Sequence, residues 1–166
     1  MALTYSPAGE LGSKAPYFEL PGVDGKNHSL SDYSDKQALL VAFICNHCPY
    51  VQAIIERFNR LAGEFQPQGV GVVGISSNDV RAYPADSFEA MKLEAKTRGF
   101  VFPYLIDETQ AVARAFGAVC THDFFLYGRE GAGEWVLQYR GRLDDNWKDA
   151  GAVTRRELAT AIEGVL

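Results

Sequence analysis

The hydrophobic positions of this chain follow two different patterns, which separate strands from helices. Residues 38–44 and 70–75 are almost continuously apolar, as expected of parallel strands that are covered on both faces. Between them, apolar residues recur at helical spacing over 51–65, and Pro49 suits the first turn of a helix. The pattern predicts a strand–helix–strand unit with a right-handed crossover, and therefore an α/β core.

Shorter signals lie on either side of this unit. Residues 17–20 and 27–30 flank Pro-Gly and Asp-Gly turn pairs, which predicts an N-terminal β-hairpin. Residues 1–16 show no periodicity and are expected to form a lead-in loop. Towards the C-terminus the sequence predicts a helix at 87–98, a strand at 102–106, a helix at 110–116, a hairpin from 124–127 and 134–139, and a last helix opened by a capping box from Thr154 to Glu157.

Length and charge narrow the class of protein. A chain of 166 residues with 47% hydrophobic and 22% charged residues is typical of one soluble globular domain, which we expect to span 1–166. A net charge of −5 without a run of like charges argues against nucleic-acid binding. The longest apolar run, 38–45, is far shorter than the roughly 20 residues of a membrane-spanning helix. The first residues do not resemble a secretory signal, so we expect a cytoplasmic protein with small-molecule or protein partners.

The cysteines carry the strongest chemical signal. Three cysteines are too few, and odd in number, for a disulfide framework. Two of them, Cys45 and Cys48, form a CxxC motif between the first buried strand and the helix. Cys45 is therefore expected near the helix N-terminus, where backbone N–H groups and the helix dipole favour a thiolate. The predicted roles are Cys45 as nucleophile, Cys48, one turn into the helix, as resolving thiol, and His47 as a stabiliser of the reduced form.

Two other interpretations of this motif remain open. Two cysteines can be buried hydrophobic residues, and a CxxC pair can be half of a zinc site. The second CxxC of a zinc ribbon is missing from the sequence. The position between a strand and a helix that begins with proline therefore favours redox chemistry.

Three segments resemble the peroxiredoxin-like branch of the thioredoxin superfamily, which includes alkyl hydroperoxide reductases and thiol-disulfide oxidoreductases. They are residues 43–50 (Phe-Ile-Cys-Asn-His-Cys-Pro-Tyr), 77–87 and 120–126. The resemblance implies a thioredoxin fold: an α/β structure with a central mixed β-sheet flanked by helices, here with an extra N-terminal β-hairpin. It also implies an oxidoreductase with Cys45 and Cys48 as its redox-active disulfide, no cofactor, and as partners protein or small-molecule disulfides and a thiol electron donor.

The chain departs from this branch in one loop. Where the branch usually has Cys-Thr-Pro, with a cis-proline facing the dithiol, this chain has Cys120, Thr121 and His122. By analogy, Thr121 and His122 are the expected substrate-binding residues. The peptide bond between them is expected to be trans, because a cis bond before a residue other than proline costs about 2.5–4 kcal/mol.

The second departure is the lack of a buried acid for proton transfer. The strand before the dithiol contains no acidic residue, whereas thioredoxins carry a buried acid there. His47, His122 or water is therefore expected to move the proton. Acidic residues after the second strand are expected to lie near a helix N-terminus for structural reasons and are assigned no chemistry: Asp79, Asp86 and Glu89.

Two alternative functions stay open. Peroxidases of this superfamily place a Thr or Ser three residues before the reactive cysteine, a position that Ala42 and Cys45 occupy here, so only weak peroxidase (antioxidant) activity is expected. A metal-binding protein is the other alternative. Cys120 and His122 are two residues apart in a segment predicted to be extended and are therefore expected on one face, which the family resemblance places against the dithiol. With the dithiol they would form a zinc, copper(I) or iron–sulfur site. The ligands would be Cys45, Cys48, Cys120 and His122, and we expect a His122 nitrogen within about 5 Å of a dithiol sulfur.

Overall fold

The computed structural model describes residues 10–118, 123–130 and 133–166. These ranges contain seven strands in two sheets and four α-helices, and none of the helices is long and apolar enough to cross a membrane. The strands are β1 (Glu19–Pro21), β2 (Asn27–Ser29), β3 (Ala38–Phe43), β4 (Val70–Ser76), β5 (Tyr104–Ile106), β6 (Asp123–Glu130) and β7 (Glu134–Gly141). The helices are α1 (Pro49–Phe65), α2 (Phe88–Arg98), α3 (Ala111–Phe116) and α4 (Glu157–Val165).

The larger sheet is mixed, as predicted. Its strand order is β5-β4-β3-β6-β7, and β3, β4 and β5 are parallel to one another. Strand β6 runs antiparallel to β3, and β7 runs antiparallel to β6. A second, two-stranded antiparallel sheet is formed by β1 and β2. The predicted N-terminal and C-terminal hairpins are both confirmed.

The strand–helix–strand unit is also confirmed. Every residue of β3 and β4 is buried, and Ala38 pairs with Val70 at the start of the parallel register. Pro49 is the first residue of α1, where its missing N–H costs no hydrogen bond. Helix α1 follows β3 after only a short loop, so the CxxC motif lies at the carboxyl end of the central strand.

The sheet has a hydrophobic core on each face. One core contains the apolar sides of α1, α2 and α4 together with alternate residues of β3, such as Leu40 and Ala42. The other contains Leu39 and Val41 from the opposite face of β3, the N-terminal hairpin and Phe116 of α3. Because side chains alternate between the two faces of a strand and both faces of β3 are buried, every position of β3 must be apolar.

The start of α4 differs from the prediction. The N-cap is Arg156, and the predicted capping residue Thr154 lies two residues earlier. The Thr154 hydroxyl donates to Asp145, and the Thr154 backbone N–H donates to the same carboxylate at 2.9 Å. These bonds, led by the hydroxyl, lower the pKa of Asp145 to about 2. The predicted capping box is wrong because a distant carboxylate takes the side chain that it required.

Candidate active site

The CxxC motif forms the loop between β3 and α1. Cys45 is 3% exposed and Cys48 is half-buried, and both are thiols in this structure. Cys48 is the N-cap of α1, with φ −68° and ψ 121°, the extended conformation that a following proline favours. The prediction that Cys48 lies one turn inside the helix is therefore wrong, because Pro49 fixes the helix start one residue later.

A buried carboxylate lies next to this loop. Asp86 is 0% exposed and ends a short 3₁₀ turn between β4 and α2. Its Oδ1 accepts the backbone N–H of Asn46 at 2.7 Å and that of His47 at 3.2 Å. Its Oδ2 accepts Asn78 Nδ2 at 2.9 Å and forms a short contact with His47 Nδ1. These four donors match the acceptor capacity of an ionised carboxylate, so Asp86 holds both the loop backbone and the imidazole in place.

The pairing of His47 with Asp86 sets the orientation of the ring. With Nδ1–H donating to the carboxylate, the neutral imidazole keeps Nε2 as an acceptor. The ring of Tyr83 stacks on the imidazole with centroids 4.3 Å apart and planes 9° from parallel. The imidazole of His47 is therefore held at its edge by the Asp86 carboxylate and on its face by the Tyr83 ring.

Asn46 ties the CxxC loop to the sheet and to the loop that carries Asp86. Its Oδ1 accepts the hydroxyl of Tyr104 at 2.9 Å, and its Nδ2 donates to the carbonyl of Ala85 at 2.8 Å. Gln52 of α1 donates to the Asn46 carbonyl at 2.9 Å. Burial, and then the electrostatic influence of the neighbouring Cys45 and Asp86, raise the pKa of Tyr104 well above its usual value, which keeps its hydroxyl a donor.

The variant Tyr104→Phe tests this anchor. It removes one buried donor and leaves Asn46 Oδ1 without that hydrogen bond, so we expect the free energy of unfolding to fall by about 1–3 kcal/mol. For a chain of this size, the melting temperature should fall by roughly 2–4 °C per kcal/mol. Thermal unfolding followed by circular dichroism measures the change. An unchanged melting temperature would contradict the role given to this hydroxyl.

Cys45, His47 and Asp86 form one compact group. The Cys45 sulfur, a ring nitrogen of His47 and a carboxylate oxygen of Asp86 all lie within 4.8 Å of one another. A thiol, an imidazole and an acid that orients the imidazole are the parts of an activated nucleophile. The same three atom types also bind divalent metal ions.

The structure brings together part of the predicted site. It places Cys45, His47 and Cys48 in one loop, as the sequence requires. Thr121, His122 and Cys120 lie outside the described residues, so their predicted roles in substrate or metal binding, the trans peptide and the 5 Å approach of His122 stay predictions.

Asp86 is a site residue that the sequence pattern did not predict. It was expected to serve the helix start, yet its carboxylate is turned to the CxxC loop, while Ser87 takes the N-cap of α2. The segment 77–87 was itself part of the family resemblance. Its position after β4, the strand parallel to β3, was the signal that could have placed Asp86 beside the dithiol.

Comparison with known proteins gives consistent matches. The model of the AhpC/TSA family matches residues 11–143. A Mycobacterium tuberculosis protein named "Putative peroxiredoxin" is 33% identical over 107 residues, which are 64% of this chain and 63% of that protein. The thiol-disulfide oxidoreductase ResA of Geobacillus thermodenitrificans is 29% identical over 162 residues, or 98% of this chain and 82% of ResA. The chain thus spans less than two thirds of the mycobacterial relative.

Solved structures show the same fold. A hypothetical protein of Sinorhizobium meliloti 1021 is 44% identical, with a TM-score of 0.87 over 94% of this chain and 84% of that one. A thiol:disulfide interchange protein of the thioredoxin family from Chlorobium tepidum TLS is 21% identical, with a TM-score of 0.66 over 93% of this chain and 96% of that one. At that identity the likeness concerns the fold alone, and it confirms the predicted thioredoxin fold.

Proposed function

Because the chain belongs to the AhpC/TSA family, we propose that it is a thiol-disulfide oxidoreductase whose Cys45–Cys48 pair exchanges electrons with substrate disulfides. The observation that carries this proposal is the group of Cys45, His47 and Asp86, whose ligand atoms lie within 4.8 Å of one another, with the second thiol, Cys48, at the end of the same loop. Its resident chemistry needs no cofactor, because the two sulfurs hold the two electrons.

The first step is attack by Cys45. Its thiol proton passes to the imidazole of His47, and the resulting positive charge is stabilised by the Asp86 carboxylate. The Cys45 thiolate attacks one sulfur of the substrate disulfide, and a new S–S bond forms as the substrate S–S bond breaks. The leaving thiolate takes a proton, which the imidazolium can return.

The second step closes the dithiol. The Cys48 thiol loses its proton and its sulfur attacks the Cys45 sulfur of the mixed disulfide, so the Cys45–Cys48 bond forms as the bond between Cys45 and the substrate breaks. The leaving substrate sulfur takes up a proton, and the substrate leaves as a dithiol. The substrate gains two electrons and the protein loses two. A thiol donor then reduces Cys45–Cys48 by the same exchange in reverse. Protein or small-molecule disulfides are the proposed substrates, in a reducing compartment such as the cytoplasm.

Peroxide reduction is the weaker candidate. Relatives such as the mycobacterial protein carry a peroxiredoxin name, and a thiolate can be oxidised by peroxide to a sulfenic acid. The position three residues before Cys45 is Ala42, a fully buried residue of β3 that offers no hydroxyl to hold a peroxide. Exchange with disulfides is therefore the better match to this site.

The direct test compares disulfide reduction with peroxide consumption. The full chain, with a dithiol donor, is expected to reduce insulin disulfides well above the donor alone, and to consume hydrogen peroxide much more slowly. The variants Cys45→Ser and Cys48→Ser should both lose catalytic turnover. If peroxide is consumed faster than insulin disulfides are reduced, the peroxidase candidate replaces the proposal.

The order of attack is tested by trapping the mixed disulfide. In Cys48→Ser the Cys45 thiol is expected to stay bound to a disulfide substrate, because the resolving thiol is gone. The matched variant Cys45→Ser should trap far less, although Cys48 is the more exposed of the two thiols. Mass spectrometry of the adducts gives the answer. Predominant trapping on Cys48 would reverse the two roles.

A further inference from the structure

The group that activates Cys45 is also a set of metal ligands. A thiolate sulfur, an imidazole nitrogen and a carboxylate oxygen are the donor types that Zn²⁺ takes in proteins, and three protein ligands with an open position are common. Here the three atoms belong to Cys45, His47 and Asp86 and lie within 4.8 Å of one another.

The geometry needs little movement to hold an ion. With Zn–S near 2.3 Å and Zn–N and Zn–O near 2.0–2.2 Å, tetrahedral ligand atoms stand about 3.3–3.6 Å apart. Separations below 4.8 Å come within that range by side-chain shifts of roughly 1 Å. His47 is part-exposed, so an ion can reach the group from solvent.

The surroundings of Asp86 prepare it for this role. Two backbone N–H groups of the CxxC loop fix its Oδ1, and Asn78 Nδ2 donates to its Oδ2 at 2.9 Å. Hydrogen bonds of this kind orient ligating carboxylates. The metal would occupy the place of the proton between His47 Nδ1 and Asp86 Oδ2, and that proton would move to Nε2.

We propose that the reduced protein binds one Zn²⁺ through Cys45, His47 and Asp86, and that this binding blocks thiol-disulfide exchange. A Zn–S bond forms, the Cys45 thiol proton leaves to solvent, and the sulfur electron pair is no longer available for attack. Oxidation of the pair to a disulfide removes the thiolate ligand and releases the ion. That Zn²⁺ binds is argued from geometry alone, whereas the inhibition of exchange, the inhibitory half of the proposal, rests on the proposed function.

These ligands differ from the set of Cys45, Cys48, Cys120 and His122 that the sequence left open. The distinction is experimental. Cys48→Ser removes exchange but none of the three ligands, so it should bind Zn²⁺ as the parent does. Cys120→Ser and His122→Ala should also leave binding unchanged. If any of these three variants loses the metal, the proposed ligand set is wrong.

Binding is measured with the full-length reduced chain, freed of the thiol reagent, by titration with Zn²⁺ in competition with a chromogenic chelator. We expect one ion per chain and none after oxidation to the disulfide. Co²⁺ should give a thiolate-to-metal charge-transfer band and the d–d bands of a four-coordinate ion. His47→Ala should weaken binding at least about 10-fold, a loss that even outer-shell changes reach.

The matched control is His28→Ala. His28 is also a half-buried histidine that contacts a carboxylate, that of Asp24 at 2.9 Å, but it lies in the N-terminal hairpin. Its variant should keep both Zn²⁺ binding and exchange activity. Equal weakening by His28→Ala and His47→Ala would indicate nonspecific binding and overturn the site.

The two proposals fail separately. A protein that binds one Zn²⁺ but does not reduce insulin disulfides would refute the exchange function and keep the metal site. A protein that reduces disulfides but binds no Zn²⁺ would refute the metal site alone. Exchange that continues at full rate in the Zn²⁺-loaded protein would refute the inhibitory half.

Discussion

Replacing Asp86 with asparagine should slow disulfide exchange by about 10²-fold at neutral pH, within the range that positioned acid–base groups contribute. Asparagine keeps an oxygen that can accept the backbone N–H groups of the CxxC loop. It lacks the charge that stabilises the His47 imidazolium, and its amide is a donor facing the Asn78 amide. The loss should therefore fall on the rate, while the fold survives.

The pH dependence separates this role from a structural one. As pH rises, hydroxide takes over the removal of the Cys45 proton, so the defect of Asp86→Asn should shrink towards alkaline pH. Rates are measured between neutral and alkaline pH with a chelator present, so that bound metal does not contribute. A defect that stays constant across this range would point to misfolding or to a substrate-binding role.

The more severe variant Asp86→Ala adds a large stability effect. It leaves two backbone N–H groups and the Asn78 amide without their buried acceptor, and we expect a loss of about 3–5 kcal/mol in the free energy of unfolding. The matched control is Asp79→Asn, which removes one negative charge from the same loop at an exposed position. It should change neither stability nor rate by much.

The contrast between Asp86 and the strands shows what local sequence can and cannot predict. Strands β3 and β4 were predicted because burial on both faces requires an apolar residue at nearly every position. Helix α1 was predicted because burial on one face requires apolar residues at helical spacing. The contact between His47 and Asp86 joins residues 39 positions apart and depends on the path of a loop. No periodicity records such a path.

The topology nonetheless contained a usable clue. Because β3 and β4 are parallel, their carboxyl ends lie at the same edge of the sheet, and the segments that follow them are neighbours. That reasoning applies to the loop after β4 as it does to the CxxC loop. The failed prediction at Thr154 has the same origin, since its partner Asp145 lies nine residues away and outcompetes the local cap.

Phe58→Ala is expected to be strongly destabilising although it lies away from the site. Phe58 is fully buried on α1 and contacts the rings of Phe102 and Phe124, with centroids 5.0 and 5.3 Å away. Removing a buried phenyl group costs about 3–5 kcal/mol, because transfer free energy is lost and a cavity remains. Urea unfolding should show a fall of that size in the free energy of unfolding and a correspondingly lower midpoint. The melting temperature should fall by roughly 2–4 °C per kcal/mol.

The matched control is Leu93→Ala on α2, whose side chain is 67% exposed and should change stability by less than about 0.5 kcal/mol. Activity distinguishes this core variant from those at the dithiol. Phe58 lies in the middle of α1, more than two turns from Cys48, so the folded fraction of Phe58→Ala should exchange disulfides at close to the parent rate well below its melting temperature. A folded variant with a large rate defect would mean that packing of α1 on the sheet also sets the position of the CxxC loop.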